Sequence, residues 1–357
     1  MKILFIISNL ANGGAERVIS TLCDEFSKMG DTCEILYFEQ NSGYYEYKAT
    51  LTHLPLYEKK GILAKLSKFW YKLRKFWHKL SKFWRINKAI KNTGANAVIS
   101  MLDQTNINVL ISTFFAPKSV IISEHTDERA LKSRFWRAMR RLLYPRAKAL
   151  VVLNESEKNY YNFSKNAKVI YNPLNADFLS PSAPANKENI VLCVGRLESV
   201  KNYEFYLKSL ALISPDLRKN WRFIIAGDGS QKERLLALNN ELKIGAEFIG
   251  HAKNTKELYA KASILALPSK SECLPNVLIE SIGFYCARIS TPTAGAIELI
   301  THAKDGIIAS ELEFAKALEE LMRDESLRSS LAKNALRRLA DFEPAKIALK
   351  YKKLILS

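Results

Sequence analysis

Eleven short apolar runs recur along the chain, and they are continuous rather than alternating. Six lie in the first half: KILFIIS (2–8), CEILYF (33–38), AVIS (97–100), SVIIS (119–123), ALVVL (149–153) and KVIY (168–171). Five lie in the second: IVLCVG (190–195), RFIIAG (222–227), EFIG (247–250), SILAL (263–267) and ARIS (287–290). A strand with one wet face alternates apolar and polar residues, whereas a strand buried on both faces is apolar throughout. Helical patterns fill the intervals, as crossovers between parallel strands require. The pattern therefore predicts an α/β protein whose parallel sheets carry helices on both faces.

A chain of 357 residues is long enough for two such domains. The stretch NPLNADFLSPSAPANKEN (172–189) is rich in Pro, Asn and Ser and lacks periodicity, so it marks the boundary. The predicted division is 1–172 and 173–342, each half a doubly wound sheet with ligands at the carboxyl ends of its strands. Residues 343–357 read as a helix after Pro344 that packs back on the first domain.

The opening MKILFIISN has too short an apolar run for a signal-peptide core and reads as a first strand. No stretch reaches the roughly 18 apolar residues of a membrane span. The five cysteines lack any CxxC spacing, which argues against a zinc site or a disulfide framework and fits a reducing compartment.

Four constellations carry possible chemistry. Asn12-Gly13-Gly14-Ala15-Glu16-Arg17 follows the first strand and opens a helix, where backbone N–H groups can approach a phosphate. As a bare pattern it is more often a turn. In Gly195-Arg196-Leu197-Glu198-Ser199-Val200-Lys201-Asn202, two cations flank a loop at a strand end, which suits a diphosphate or a solvated loop. In Ser271–Glu280, Pro275 predicts a helix start, so the N–H groups of Asn276 and Val277 would face an anion. Glu272 precedes that helix and Glu280 lies one turn into it, an arrangement that suits the hydroxyls of a nucleotide-sugar. His125, in Ser123-Glu124-His125-Thr126, falls at a strand end, where a histidine is either structural or functional.

In this order, GGAER, SEHT, GRLESVKN, AGDG and the Glu-x7-Glu of ECLPNVLIE resemble the GT4 family of retaining glycosyltransferases, over essentially the whole chain. Within the family, SEHT, the basic helix described below and FYCARIS look most like bacterial transferases that add GalNAc to an undecaprenyl-diphosphate-linked glycan for protein N-glycosylation. The resemblance implies a GT-B fold, two doubly wound parallel-sheet domains facing a cleft. It implies that Gly14, Arg196 and Lys201 contact the donor diphosphate, with backbone N–H groups of Asn276 and Val277. Glu280 would hold the ribose, Glu272 the sugar hydroxyls, and His125 the sugar or the reaction centre, with uracil near His251 to Lys253. It implies no cofactor and no metal, with a UDP-sugar as donor; the chain has no Asp-x-Asp pair. It also implies same-face attack, in which the departing phosphate takes the acceptor proton. Two departures bear on the sugar pocket. Cys273 stands where the family often has Gly, and Cys286-Ala287 where it often has Gly-Pro. A transferase of lipopolysaccharide or capsule assembly with another donor is the alternative reading. Less favoured is a non-enzymatic nucleotide-binding protein at a membrane surface.

The net charge is +18, and from Lys59 to Asn92 there are twelve Lys or Arg and no Asp or Glu. Within that stretch KLSKFWY, KLRKFWH and KLSKFWR repeat without a break over 65–85. On a helix spanning about 61–92, Trp70, Trp77 and Trp84 share one arc with the Leu and Phe residues, beside a band of Lys68, Lys72, Lys75, Lys79 and Lys82. An aromatic face edged with Lys fits an anionic membrane surface and the acceptor's diphosphate. A homodimeric seam would set like charges against each other, and nucleic acid would leave the aromatic face unexplained. The expected location is peripheral, on the cytoplasmic face of the plasma membrane.

Overall fold

The structure is a computed structural model that describes residues 1–11, 13–39, 45–56, 68–114, 120–125, 133–179, 187–252 and 254–357, with backbone alone for 68–80 and 177. The chain forms two compact units, Met1–Pro173 with Pro344–Ser357, and Leu174–Glu343.

The first unit holds β1 (Lys2–Asn9), β2 (Thr32–Glu39), β3 (Thr50–His53), β4 (Ala97–Met101), β5 (Val120–Ser123), β6 (Ala149–Val152) and β7 (Ala167–Val169). They form a parallel sheet in the order β3-β2-β1-β4-β5-β6-β7. Strand β1 explains why the apolar runs are continuous. Ile3, Phe5 and Ile7 enter one core, with α1 (Gly14–Lys28) and the C-terminal helix Pro344–Leu356. Leu4 and Ile6 enter the core on the other face, with α2 (Lys68–Thr93) and α3 (Asp103–Ser112). The C-terminal helix is fastened by Lys352 Nζ on Asp31 Oδ2 at 2.7 Å and by Lys148 Nζ on the Ile355 carbonyl at 2.7 Å. Its apolar residues Ile347, Ala348 and Tyr351 face the sheet.

The second unit holds β8 (Glu188–Val194), β9 (Arg222–Ala226), β10 (Glu247–Gly250), β11 (Ala262–Leu267), β12 (Ala287–Ser290) and β13 (Ile307–Ile308). They form a parallel sheet in the order β10-β9-β8-β11-β12-β13. The eleven apolar runs all become strands, and β3 and β13 are two further strands. Both additions lie at sheet edges, where one neighbour suffices and a long apolar run is not required.

Strand order decides where ligands bind. Each sheet reverses direction once, between β1 and β4 in the first unit and between β8 and β11 in the second. Crossovers leave such a point in opposite directions and open a crevice at the carboxyl ends of the two strands. In the second unit the loops that start there are residues 195–202 and 268–275.

Candidate active site

The loop after β8 carries Arg196 and Lys201, and the loop after β11 carries Glu272. Because their strands are neighbours, the loops meet. Lys270 N donates to the Val200 carbonyl at 2.8 Å, and Lys201 Nζ lies 2.6 Å from Glu272 Oε1. Ser269 Oγ donates to the same carboxylate oxygen at 2.7 Å, so Glu272 is held from both sides. An ammonium has three N–H donors, and Lys201 directs one at Glu272. Arg196 is exposed, and its guanidinium forms no hydrogen bond or ion pair among the described residues. Its guanidinium stands at the carboxyl end of β8, ready to pair with an anion.

The AGDG segment shapes that loop from below. Leu197 N donates to the Asp228 carbonyl at 2.9 Å, and Gln231 N to the Leu197 carbonyl at 2.9 Å. A Cβ on Gly227 would lie 1.9 Å from the Gly195 carbonyl oxygen, and one on Gly229 2.7 Å from that of Leu197. Only glycine permits this approach. Ser230 then donates to Glu198 from its backbone N at 3.1 Å and its hydroxyl at 2.8 Å, which holds the Glu198 carboxyl below its ordinary pKa.

Helix Asn276–Glu280 follows directly, with Pro275 as its N-cap, one residue earlier than the first helical turn. The first N–H groups of any helix lack intrahelical acceptors, so this short helix presents Asn276 and Val277 at its amino end. Glu280, 3% exposed, accepts a hydrogen bond from Tyr259 Oη at 2.9 Å. Gly295 N donates to the Glu272 carbonyl at 2.9 Å, and a Cβ on Gly295 would lie 2.4 Å from the Cys273 carbonyl oxygen. The loop bearing Glu272 is therefore packed onto the helix Ala294–Leu299. His251 is exposed, and Lys253 lies outside the described residues.

In the first unit, Gly14 is the exposed first residue of α1, behind the N-cap Gly13. Asn12 and Thr126 lie outside the described residues. His125 follows β5, partly exposed, with Nε2 3.0 Å from Ser123 Oγ. Its surroundings lower its pKa to about 4 by burial, so the imidazole is neutral at pH 7. Gly14 and His125 stand at the ends of β1 and β5, on either side of β4.

A buried polar cluster lies beside His125, and sequence reasoning did not find it. Glu124 is fully buried and accepts hydrogen bonds from Tyr144 Oη and, at 3.2 Å, from Asn106 Nδ2. Arg140, 1% exposed on α4 (Arg134–Leu143), holds Asp103 at 2.9 Å and lies 3.8 Å from Glu124 Oε2. Burial, with the nearby Asp103 charge, raises the Glu124 pKa to about 7 against the pull of Arg140. The cluster ties α3, α4 and β5 together beneath the histidine. Its one visible trace in the sequence is the Glu-His pair of SEHT.

The repeat segment is helical from Lys68. Positions 61–67 of the expected helix and the side chains of Lys68, Trp70, Lys72, Lys75, Trp77 and Lys79 lie outside the described residues. At the described end, Ile86 and Ile90 enter the core, while Trp84 is 65% exposed. Lys88 Nζ sits 5.1 Å from the Trp84 ring centroid, and Lys82 Nζ 4.7 Å from that of Phe83. The Trp84 edge of the helix thus faces solvent with lysine beside it. Among the described residues no helix is long and apolar enough to cross a membrane.

The family model described as Glycosyltransferase Family 4 matches residues 12–178, and the one described as Glycosyl transferases group 1 matches residues 176–338. A Campylobacter jejuni "GalNAc-alpha-(1->4)-GalNAc-alpha-(1->3)-diNAcBac-PP-undecaprenol alpha-1,4-N-acetyl-D-galactosaminyltransferase" is 37% identical, covering 99% of this chain and 98% of its own. The "N-acetylgalactosamine-N,N'-diacetylbacillosaminyl-diphospho-undecaprenol 4-alpha-N-acetylgalactosaminyltransferase" of the same species is 28% identical over 98% and 99%. Anabaena HepE, solved in complex with UDP, shares the fold with a TM-score of 0.82 at 16% identity, covering all of both chains. With both halves matched by glycosyltransferase families and such a relative along its whole length, the chain belongs to the GT4 glycosyltransferases and has the GT-B fold.

Proposed function

We propose that this glycosyltransferase moves N-acetylgalactosamine from UDP-N-acetylgalactosamine to a polyprenyl-diphosphate-linked oligosaccharide, with retention of anomeric configuration. The observation that carries the chemistry is the meeting of Lys201 with Glu272 at the reversal of the second sheet, with Arg196 on the same loop as Lys201. The choice of sugar and acceptor rests on the activity named for the 37% identical relative.

Arg196 and Lys201, with the backbone N–H groups of Asn276 and Val277, hold the donor diphosphate. Their positive charge stabilises UDP as the bond from the sugar's C1 to the phosphate oxygen breaks. The acceptor hydroxyl attacks C1 from the same face, and its proton passes to the departing phosphate oxygen. Glu272 holds the sugar hydroxyls, Glu280 the ribose, Gly14 the diphosphate from the first unit, and His125 the sugar. No metal takes part, because these cations supply the charge. The lysine band of α2 holds the acceptor's diphosphate, and its tryptophan edge rests on an anionic membrane surface at the cytoplasmic face. Cations at several places along the helix let acceptors of different glycan length reach the site, so more than one sugar can be added.

The test is a donor screen against a synthetic polyprenyl-diphosphate glycan, read by mass. The expected product gains one or more N-acetylhexosamine units from UDP-N-acetylgalactosamine alone. A product formed only with another UDP-sugar would support a capsule or lipopolysaccharide role. Product of inverted configuration would overturn the retaining mechanism.

A further inference from the structure

The C-terminal helix reaches the histidine through a hydroxyl. Tyr351, 1% exposed, has one hydrogen-bond partner for its hydroxyl among the described residues, Ser123 Oγ at 3.3 Å. Ser123 is fully buried, and the same Oγ lies 3.0 Å from His125 Nε2. Three groups thus share three protons: one on the tyrosine, one on the serine and one on the neutral imidazole. A buried hydroxyl proton with no acceptor carries its full desolvation cost, so the arrangement that places both hydroxyl protons is favoured.

Only one arrangement does so. If Nε2 carried the ring proton, it would donate to Ser123, and Ser123 would donate to the Tyr351 oxygen. The tyrosine proton would then be buried without an acceptor. If Tyr351 and Nε2 both donated to Ser123, the serine proton would be stranded instead. With Tyr351 donating to Ser123 and Ser123 donating to Nε2, both hydroxyl protons are placed, and the ring proton lies on Nδ1. That nitrogen has no hydrogen bond among the described residues, and His125, unlike Ser123 and Tyr351, is not a fully buried residue. Oε1 of the neighbouring Glu124 is engaged by Tyr144 and Asn106, and no hydrogen bond joins Glu124 to His125 among the described residues.

We infer that Tyr351 is a positioning residue which, through Ser123, fixes His125 as the Nδ1–H tautomer, so that His125 meets its ligand as a hydrogen-bond donor and not as a base. The inference rests on the proposed placement of His125 against the donor sugar. A neutral donor suits a sugar oxygen, and it leaves the acceptor proton to the departing phosphate. It also gives the C-terminal helix a part in the site, since its Lys352–Asp31 anchor at 2.7 Å lies one residue beyond Tyr351.

The test is nitrogen NMR of the full chain with labelled histidine, with His125 identified among the five histidines by its loss in His125→Ala. In the wild type, Nδ1 should carry the proton and Nε2 should show the shift of an acceptor. Tyr351→Phe keeps the ring and removes one hydroxyl. It should convert that spectrum to a tautomer mixture and lower kcat about 3- to 10-fold with little change in KM. Ser123→Ala should give the same mixture. A protonated Nε2 in the wild type, or an unchanged spectrum in both variants, overturns the inference even where His125→Ala is inactive. Full activity in His125→Ala overturns the placement of His125 and leaves the tautomer result standing.

Discussion

At the carboxyl edge of the first sheet Glu124 and Arg140 are buried, while at that of the second Arg196 is exposed. Arg140 pairs with the partly exposed Asp103, and His125 above them is neutral. Arg196 is exposed, and Lys201 shares a partly accessible ion pair with Glu272. A cluster whose charges are buried fixes geometry beneath a site and does not present those charges to a ligand. Exposed cations on a rigid loop can exchange water for phosphate with little loss of hydrogen bonding. Under the proposed function, this difference puts positioning in the first unit and charge stabilisation in the second.

The largest effect should come from removing that charge. Arg196→Ala should lower the single-turnover transfer rate about 10²- to 10³-fold and leave thermal stability unchanged, because the side chain supports nothing in the fold. An equal loss of stability would show that Arg196 is structural and erase the contrast. Next comes the loop's foundation. Gly227→Ala sets a methyl against the Gly195 carbonyl and should cost ~3 kcal/mol in denaturant unfolding of the second unit. A neutral outcome would mean that the loop is not held by that contact.

The first unit should respond to pH instead. The Glu124 carboxyl has a folded pKa of about 7 against an ordinary 4.5, so the folded chain binds more protons than the unfolded chain between those values. Stability should therefore be greatest below pH 4.5 as far as this group is concerned, and fall by about 3 kcal/mol as pH rises through 7. Glu124→Gln should flatten that slope, which pH-dependent unfolding would show. The smallest effect belongs to the solvent-facing helix edge. Trp84→Ala should change stability by less than about 0.5 kcal/mol, yet weaken sedimentation with anionic vesicles. Unchanged vesicle binding would remove Trp84 from any membrane contact.

The sequence is informative where burial on both faces imposes a run of apolar residues, which is why strands such as β1 and β11 are legible. It is silent at β3, whose Thr50-Leu51-Thr52-His53 follows no such rule at a sheet edge. The loops bearing Arg196, Lys201 and Glu272 are readable as strand ends. Their contact is not, because it spans 71 residues and depends on β8 and β11 being neighbours. The Ser123–Tyr351 contact spans 228 residues and leaves no local signal at all. Gly227 and Gly229 are visible as a motif, but the carbonyls they accommodate belong to a different loop.

Calorimetric titration with UDP, on the wild type, the Arg196→Ala, Lys201→Ala double variant and His125→Ala, tests the division of labour most directly. Removing both cations takes away two charge-assisted hydrogen bonds to the diphosphate, so the double variant should bind UDP at least about 100-fold more weakly, while His125→Ala should bind it as the wild type does. Wild-type affinity in the double variant would contradict the account.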